Sequence, residues 1–248
     1  DENKLIVCLD AGHGGKDNGS DYRLRYEKND NLKITQAVAA YLADKEDVQV
    51  IMTRSDDTFL SLEERTTFAN QNNADYFVSL HRNTGEGNGV ETWIRSDADD
   101  KAQALAQNIM DNLDAAGISR NRGVKKGTQK SESKDYYVNL HTNMPACIVE
   151  LGFMNSPTDN QLFDANIDSY AKAIGDAVLK TYESYGKDGA DAKESVEDVP
   201  GTEEQTSTET GTGTTGQVLQ NTPIENVSSL DATSHDWGLG SQIGRAHV

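Results

Sequence analysis

Over residues 1–186 the chain alternates short unbroken apolar runs with stretches whose apolar positions recur every three or four residues, the pattern of strands alternating with helices. Leu5-Ile6-Val7-Cys8-Leu9 is apolar throughout and bounded by Asp10 and Gly12, which predicts a strand buried on both faces, as in a parallel sheet. Residues 48–53 and 76–80 repeat that pattern. Residues 90–95 alternate apolar and polar, and residues 147–153 form a last apolar run interrupted by one carboxylate, Glu150. Between these runs, Ile34, Ala37, Val38, Tyr41 and Leu42 keep helical spacing behind a cap at Asn29 or Asp30, with Glu27 just ahead of the helix. Ser61-Leu62-Glu63-Glu64 reads as a capping box for a helix ending near residue 72. Asp97 and Gly117 bracket an alanine-rich helix, and Ser156-Pro157 opens a short one. Tyr170, Ile174, Ala177 and Val178 mark one face of a final helix over residues 169–184. Residues 120–137 are basic, polar and aperiodic, and are expected to form a long exposed segment.

The periodic signals stop near Gly186. Residues 187–248 consist largely of Gly, Thr, Glu, Ser and Asp and cannot bury enough apolar surface to offset the entropy of ordering. The expected organisation is one folded domain over residues 1–186 and a flexible acidic tail over residues 187–248, a linker with a mean reach of about 40–50 Å. The closing Gln242-Ile243-Gly244-Arg245-Ala246-His247-Val248 reads as translated adapter sequence, so the natural coding sequence is expected to be truncated there. His235 and His247 lie in this tail with no candidate ligands beside them.

Of the formal net charge of −18, the tail contributes −8 through 11 acidic and 3 basic residues, leaving −10 on the folded part. Both parts repel phosphate backbones, and no Lys/Arg stripe interleaved with aromatics offsets this, so nucleic-acid binding is excluded. No run approaches the roughly 18 apolar residues of a membrane span. The chain opens at Asp1 without an initiator methionine or a signal peptide, as a mature secreted protein or a fragment would. A domain of this size buries roughly 70% of its unfolded surface and needs no disulfide. Cys8 and Cys147, each inside an apolar run, are expected as buried free thiols, with a bridge between them as the alternative if their strands are neighbours.

The turn Gly12-His13-Gly14-Gly15 follows the first strand directly, and the third strand runs into His81. Both histidines therefore stand at carboxyl ends of buried strands, the edge at which open α/β sheets bind ligands. With Glu27 they make two imidazoles and a carboxylate, a catalytic zinc set that leaves a fourth position open. Each residue alone has a plainer reading: His13 as a solvated loop histidine, Glu150 as a strand-end carboxylate in water. A carboxylate within an apolar run is nonetheless costly unless a metal, a partner or a proton compensates it, which makes Glu150 the fourth candidate.

Taken in order, Asp10-Ala11-Gly12-His13-Gly14-Gly15 with Asp17 and Gly19, then Glu27, Ser79-Leu80-His81-Arg82-Asn83, Gly89-Val90-Glu91-Thr92, Arg122-Gly123-Val124-Lys125, Thr142-Asn143-Met144-Pro145-Ala146 and Val149-Glu150-Leu151-Gly152-Phe153 resemble the zinc-dependent N-acetylmuramoyl-L-alanine amidases of the type 3 family, over about residues 4–184. The resemblance implies a single α/β domain on a mixed, mainly parallel six-stranded sheet flanked by helices. It implies that His13, Glu27 and His81 bind one Zn2+ and that Glu150 is catalytic. The reaction implied is hydrolysis of the amide between N-acetylmuramic acid and L-alanine in bacterial peptidoglycan. A secreted, wall-associated enzyme is implied, with a wall-binding module expected beyond the acidic linker. The competing readings are an inactive homologue that binds wall or a partner, and a zinc carboxypeptidase-like amidohydrolase with the same donors. The chain departs from the family pattern at Arg82, where a small residue is usual; it reads as a surface ion pair, with a stem-peptide carboxylate as the alternative partner. His141 replaces a residue that is more often Asn, and reads as structural or substrate-orienting. Arg54 belongs to a Thr-Arg pair usual in the family and reads as a structural salt bridge.

Overall fold

The computed structural model describes residues 4–129, 133–186 and 217–218. In chain order the elements are β1 (Leu5–Ala11), a small hairpin of β2 (Asp21–Tyr22) and β3 (Arg25–Tyr26), α1 (Glu27–Ala43), β4 (Val48–Met52), α2 (Leu62–Gln71), β5 (Tyr76–Asn83), β6 (Val90–Ile94), α3 (Asp100–Ala115), β7 (Asn121–Lys126), α4 (Tyr137–His141), β8 (Ala146–Phe153), α5 (Pro157–Ala165), α6 (Ile167–Tyr185) and β9 (Gln217–Val218). The six main strands line up as β7-β6-β8-β5-β1-β4, parallel throughout except where β6 meets β8. This is the expected mixed, mainly parallel six-stranded sheet. β9 adds a two-residue antiparallel pairing to the outer edge of β4, so the region expected to be linker touches the sheet there. His235, His247 and the closing residues 242–248 lie outside the described residues.

The period-two alternation of the strands divides the core. Val7, Leu9, Val78, Leu80, Cys147 and Val149 face α1, α3 and α6, whereas Cys8, Ile51, Phe77, Trp93 and Ile148 face α2 and α4. Cys8 and Cys147 therefore point to opposite faces, on strands separated by β5, and both are buried free thiols. The Ser61–Glu64 capping box forms as expected, and Ser156 caps α5 ahead of Pro157.

Three local expectations are corrected. α1 begins at Glu27 itself, with no side-chain cap, because the Glu27 carboxylate folds back onto the Ser20 amide instead of leaving the start to Asn29 or Asp30. Asp99, not Asp97, caps α3, while Asp97 pairs with Arg95 at 2.5 Å. Residues 120–137 are not a plain exposed segment: they contain β7, and α4 begins at their last residue, Tyr137. β7 is polar because it is an edge strand, paired on one side only and half-exposed along its length.

Two buried arginines fix the turn after β1. The Arg54 guanidinium donates to the carbonyls of Ala11, Gly12, Lys28 and Asp56. The expected salt bridge is thus replaced by backbone carbonyls, and burial together with the Arg65 charge lowers the Arg54 pKa to about 10. Arg65 donates to the carbonyls of Ala11 and His13 and pairs with Asp10 at 2.8 Å. Burial pushes the Asp10 carboxyl up, but Arg65 with the Ser79 and Thr53 hydroxyls outweighs it and holds the group at about 2. A carboxylate lowered in the folded state contributes stability above its unfolded value near 4, and that stability is lost as pH falls toward 2. Arg65→Ala strands a buried charge and is expected to lower the unfolding free energy by about 3–5 kcal/mol at pH 7 in urea titrations. The deficit should narrow as the pH is lowered and the stranded carboxylate takes up a proton.

Candidate metal centre

Three elements deliver one side chain each. The turn after β1 holds His13 at φ 59°, a left-handed conformation costly for a residue with a Cβ, which the Arg65 bond to its carbonyl supports. α1 presents Glu27 from its first turn, and β5 presents His81 near its carboxyl end. All three are buried, and one donor atom from each lies within 4.8 Å of the others. Glu27 Oε1 is 3.0 Å from His81 Nδ1 and 3.3 Å from His13 Nε2. Donors held tetrahedrally at about 2.0–2.2 Å from one ion stand about 3.3–3.6 Å apart, so the cluster needs little adjustment to accept one. His13 Nε2 is buried and has no hydrogen-bond partner, as expected of a nitrogen that faces a cation site.

The supporting contacts orient these donors. Asp17 Oδ2 lies 2.8 Å from His13 Nδ1 and turns Nε2 toward Glu27, while the Gly19 amide donates to the other Asp17 oxygen at 3.0 Å. The amides of Ser20 and Arg82 and the side chain of Asn31 donate to the Glu27 carboxylate at 2.9, 3.1 and 3.3 Å. Two glycines let the parts approach: a Cβ on Gly12 would lie 2.1 Å from the His81 ring, and one on Gly19 would lie 2.6 Å from the His13 ring.

Electrostatically the centre is a carboxylate shared by two imidazoles. Burial raises the Glu27 carboxyl, but His13 and His81 outweigh it and hold the group well below its ordinary range. Burial opposes charge on His13, yet Glu27 and Asp17 outweigh it and raise the ring to about 10, while burial dominates at His81 and lowers it. Without an ion, the Glu27 and Asp17 carboxylates therefore favour a second ring proton on His13, which a bound dication would displace.

Glu150 lies on β8 directly opposite His81 on β5, and is buried with Oε2 unpartnered. Burial, with the Glu27 and Glu91 carboxylates near, raises it well above the ordinary value. The four residues singled out in the sequence thus lie next to one another, whereas Asp17 and Glu91, quoted there only as motif residues, were given no role. Asp17 was signalled by its place four residues after His13. Glu91 shares a parity with buried Trp93 on β6, where a charged side chain must point inward; it is 1% exposed and faces Glu150 across the β6–β8 pair.

None of the three secondary candidates joins the His13–Glu27–His81 cluster. Arg82 is a buried ion pair rather than a surface one: it bonds Asp30 and Asn160, each at 2.6 Å, over the Phe163 ring, which leaves no place for a stem-peptide carboxylate. His141 is exposed, stacked on Tyr137 at 3.8 Å and bonded to the Tyr137 carbonyl. Beside the cluster opens a cavity of about 350 Å³, walled by His13 and His81 on one side and by Phe59, Leu60 and Leu62 on the other.

Residues 7–180 match the family model described as N-acetylmuramoyl-L-alanine amidase. The chain belongs to this family. The amidases of the family hydrolyse the bond joining muramic acid to the stem peptide of peptidoglycan, and the chain is such a hydrolase. It is 36% identical over 182 residues to the uncharacterized protein YqiI of Bacillus subtilis, covering 72% of this chain and 84% of that one. It is 30% identical over 186 residues to the "Probable cell wall amidase LytH" of Staphylococcus epidermidis, covering 72% of this chain and only 57% of LytH. Among solved structures, an N-acetylmuramoyl-L-alanine amidase from Clostridium difficile 630 superposes with a TM-score of 0.68 at 34% identity, covering 74% of this chain and all of that one, 100%. The catalytic domain of CwlV from Bacillus (Paenibacillus) polymyxa does so with a TM-score of 0.64 at 32% identity, over 72% of this chain and 98% of that one.

In this amidase Gly12→Ala should displace the His81 ring and reduce the affinity of the cluster for a divalent cation at least about 10–100-fold by calorimetry, with the far-ultraviolet circular dichroism unchanged.

Proposed function

We propose that this amidase is zinc-dependent, that His13, Glu27 and His81 hold the ion, that Glu150 carries the proton transfers, and that the enzyme works in the cell wall outside the membrane. The observation that carries the reading is a pair of orphaned atoms in one buried cluster, His13 Nε2 beside the Glu27 carboxylate and Glu150 Oε2 one strand away. Bound zinc supplies a Lewis acid that polarises the amide carbonyl and makes water acidic near neutral pH.

The remaining work falls to the chain. Glu150 accepts a proton from the attacking water at Oε2 and returns it to the L-alanine nitrogen as the carbon–nitrogen bond breaks, a role worth about 10²–10⁴ in rate for a positioned carboxyl. In the metal-free cluster burial and the Glu27 and Glu91 carboxylates raise Glu150; a dication held beside it would offset that and leave the carboxylate ionised to accept the first proton. Asp17 keeps the His13 ring in one tautomer and orientation. The cell-wall location is supported by the wall-amidase relatives and by where peptidoglycan lies. An acidic domain gains little charge attraction from an acidic wall, so residues 187–248 are read as a tether to a wall-binding module. The presence of all four side chains in one cluster disfavours an inactive binding module.

Glu150→Gln is expected to retain one Zn2+ per chain by atomic emission and to lose hydrolysis at least about 100-fold. His13→Ala should lose both metal and turnover. Digested sacculi should release stem peptides with a free L-alanine amino terminus, which a carboxypeptidase would not produce; full activity in the Glu150→Gln variant would refute the assigned role.

A further inference from the structure

The cluster continues across the sheet as a row. His81, Glu150 and Glu91 are direct cross-strand neighbours on β5, β8 and β6, all on one face. Between Val90 and Thr92 on β6, β7 advances from Asn121 to Val124, so β7 carries one extra residue there, a bulge with Gly123 at φ 79°. A bulge resets which face the strand's side chains take, and this one brings Arg122 onto the row. Arg122 Nε donates to Glu91 Oε2 at 2.7 Å, and its guanidinium lies 5.0 Å from the centre of the Phe153 ring. Glu91 is a fixed anchor: its other oxygen accepts from Asn83, Trp93 and Gln129 at 3.0, 3.1 and 2.9 Å. The Arg122 side chain is 30% exposed, and among the described residues its two Nη groups have no hydrogen-bond partner. A guanidinium gripped by one edge and open at the other is pre-organised for a carboxylate.

The opposite flank is apolar. The cavity beside His13 and His81 is walled by Phe59, Leu60 and Leu62. The two flanks differ as the two halves of the substrate differ: the glycan is uncharged once its lactyl carboxyl is in amide linkage, and the stem peptide bears free carboxylates. The spacing also agrees. Two strand spacings separate Glu150 from Arg122, about 10 Å. Two extended residues span about 7 Å, and a hydrogen bond adds about 3 Å.

We infer that Arg122 is a specificity-determining residue that binds the free α-carboxylate of the second stem residue, so that the stem runs over Glu91 toward β7 and the glycan lies toward Phe59. This rests on the amidase reading of the same site. The test uses two soluble muropeptides with identical glycan and stem, one with the second-residue α-carboxyl free and one with it as the primary amide. Full-length enzyme should show a kcat/KM about tenfold or more in favour of the free acid. Arg122→Gln and Arg122→Lys, the latter keeping a charge against Glu91, should both reduce that ratio toward one, with the loss falling on the free acid. A merely structural role would lower both substrates together and leave the ratio unchanged, which overturns the inference, as would a wild-type ratio near one. No cleavage of either muropeptide or of sacculi by wild-type enzyme would instead refute the underlying amidase reading.

Discussion

A single desolvated carboxylate organises the functional half of this molecule. Glu27 is 1% exposed, and burial of a carboxylate is tolerated only where opposite charge and donors surround it. Here two backbone amides, the Asn31 amide and two imidazoles supply that surround. Their sources are far apart in sequence, so satisfying one side chain draws together the turn after β1, the start of α1 and the end of β5. The surplus of negative charge spreads outward: burial and the neighbouring Glu27 and Glu91 carboxylates raise Glu150, next in the row, above the ordinary carboxylate range when the cluster holds no ion.

The scaffold's contribution is rigidity at the point where the chain is least regular. The turn carbonyls past β1 are gripped by Arg54 and Arg65, two buried cations whose charge Asp10 partly offsets. These bonds hold His13 in a left-handed conformation that a free loop would leave. On the other side, Arg82 ties the β5 end to Asp30 in α1 and Asn160 in α5, so the two elements supplying Glu27 and His81 are braced against each other.

Much of this was legible in the residues. Apolar runs revealed the buried strands because a parallel sheet covered on both faces tolerates little else, and a capping box or a Ser-Pro start is a local signal. Glu150 was legible as a charge where the pattern demands none. What was hidden depends on tertiary partners. Arg54 and Arg82 look like surface cations in sequence, since nothing local reveals that carbonyls or a buried aspartate await them. β7 was invisible because an edge strand with a bulge keeps neither an apolar run nor strict alternation, and the early start of α1 depends on Glu27 being pulled back toward Ser20.

The central claim is that two imidazoles and one carboxylate from these three elements bind the same divalent ion. Zinc K-edge absorption of the purified protein loaded with one equivalent of Zn2+ tests it most directly. The account predicts a first shell of nitrogen and oxygen only, at about 2.0–2.2 Å, with imidazole outer-shell scattering from two rings, lost stepwise in His13→Ala and His81→Ala. A shell containing sulfur at about 2.3 Å, or imidazole scattering unchanged by either substitution, would contradict it.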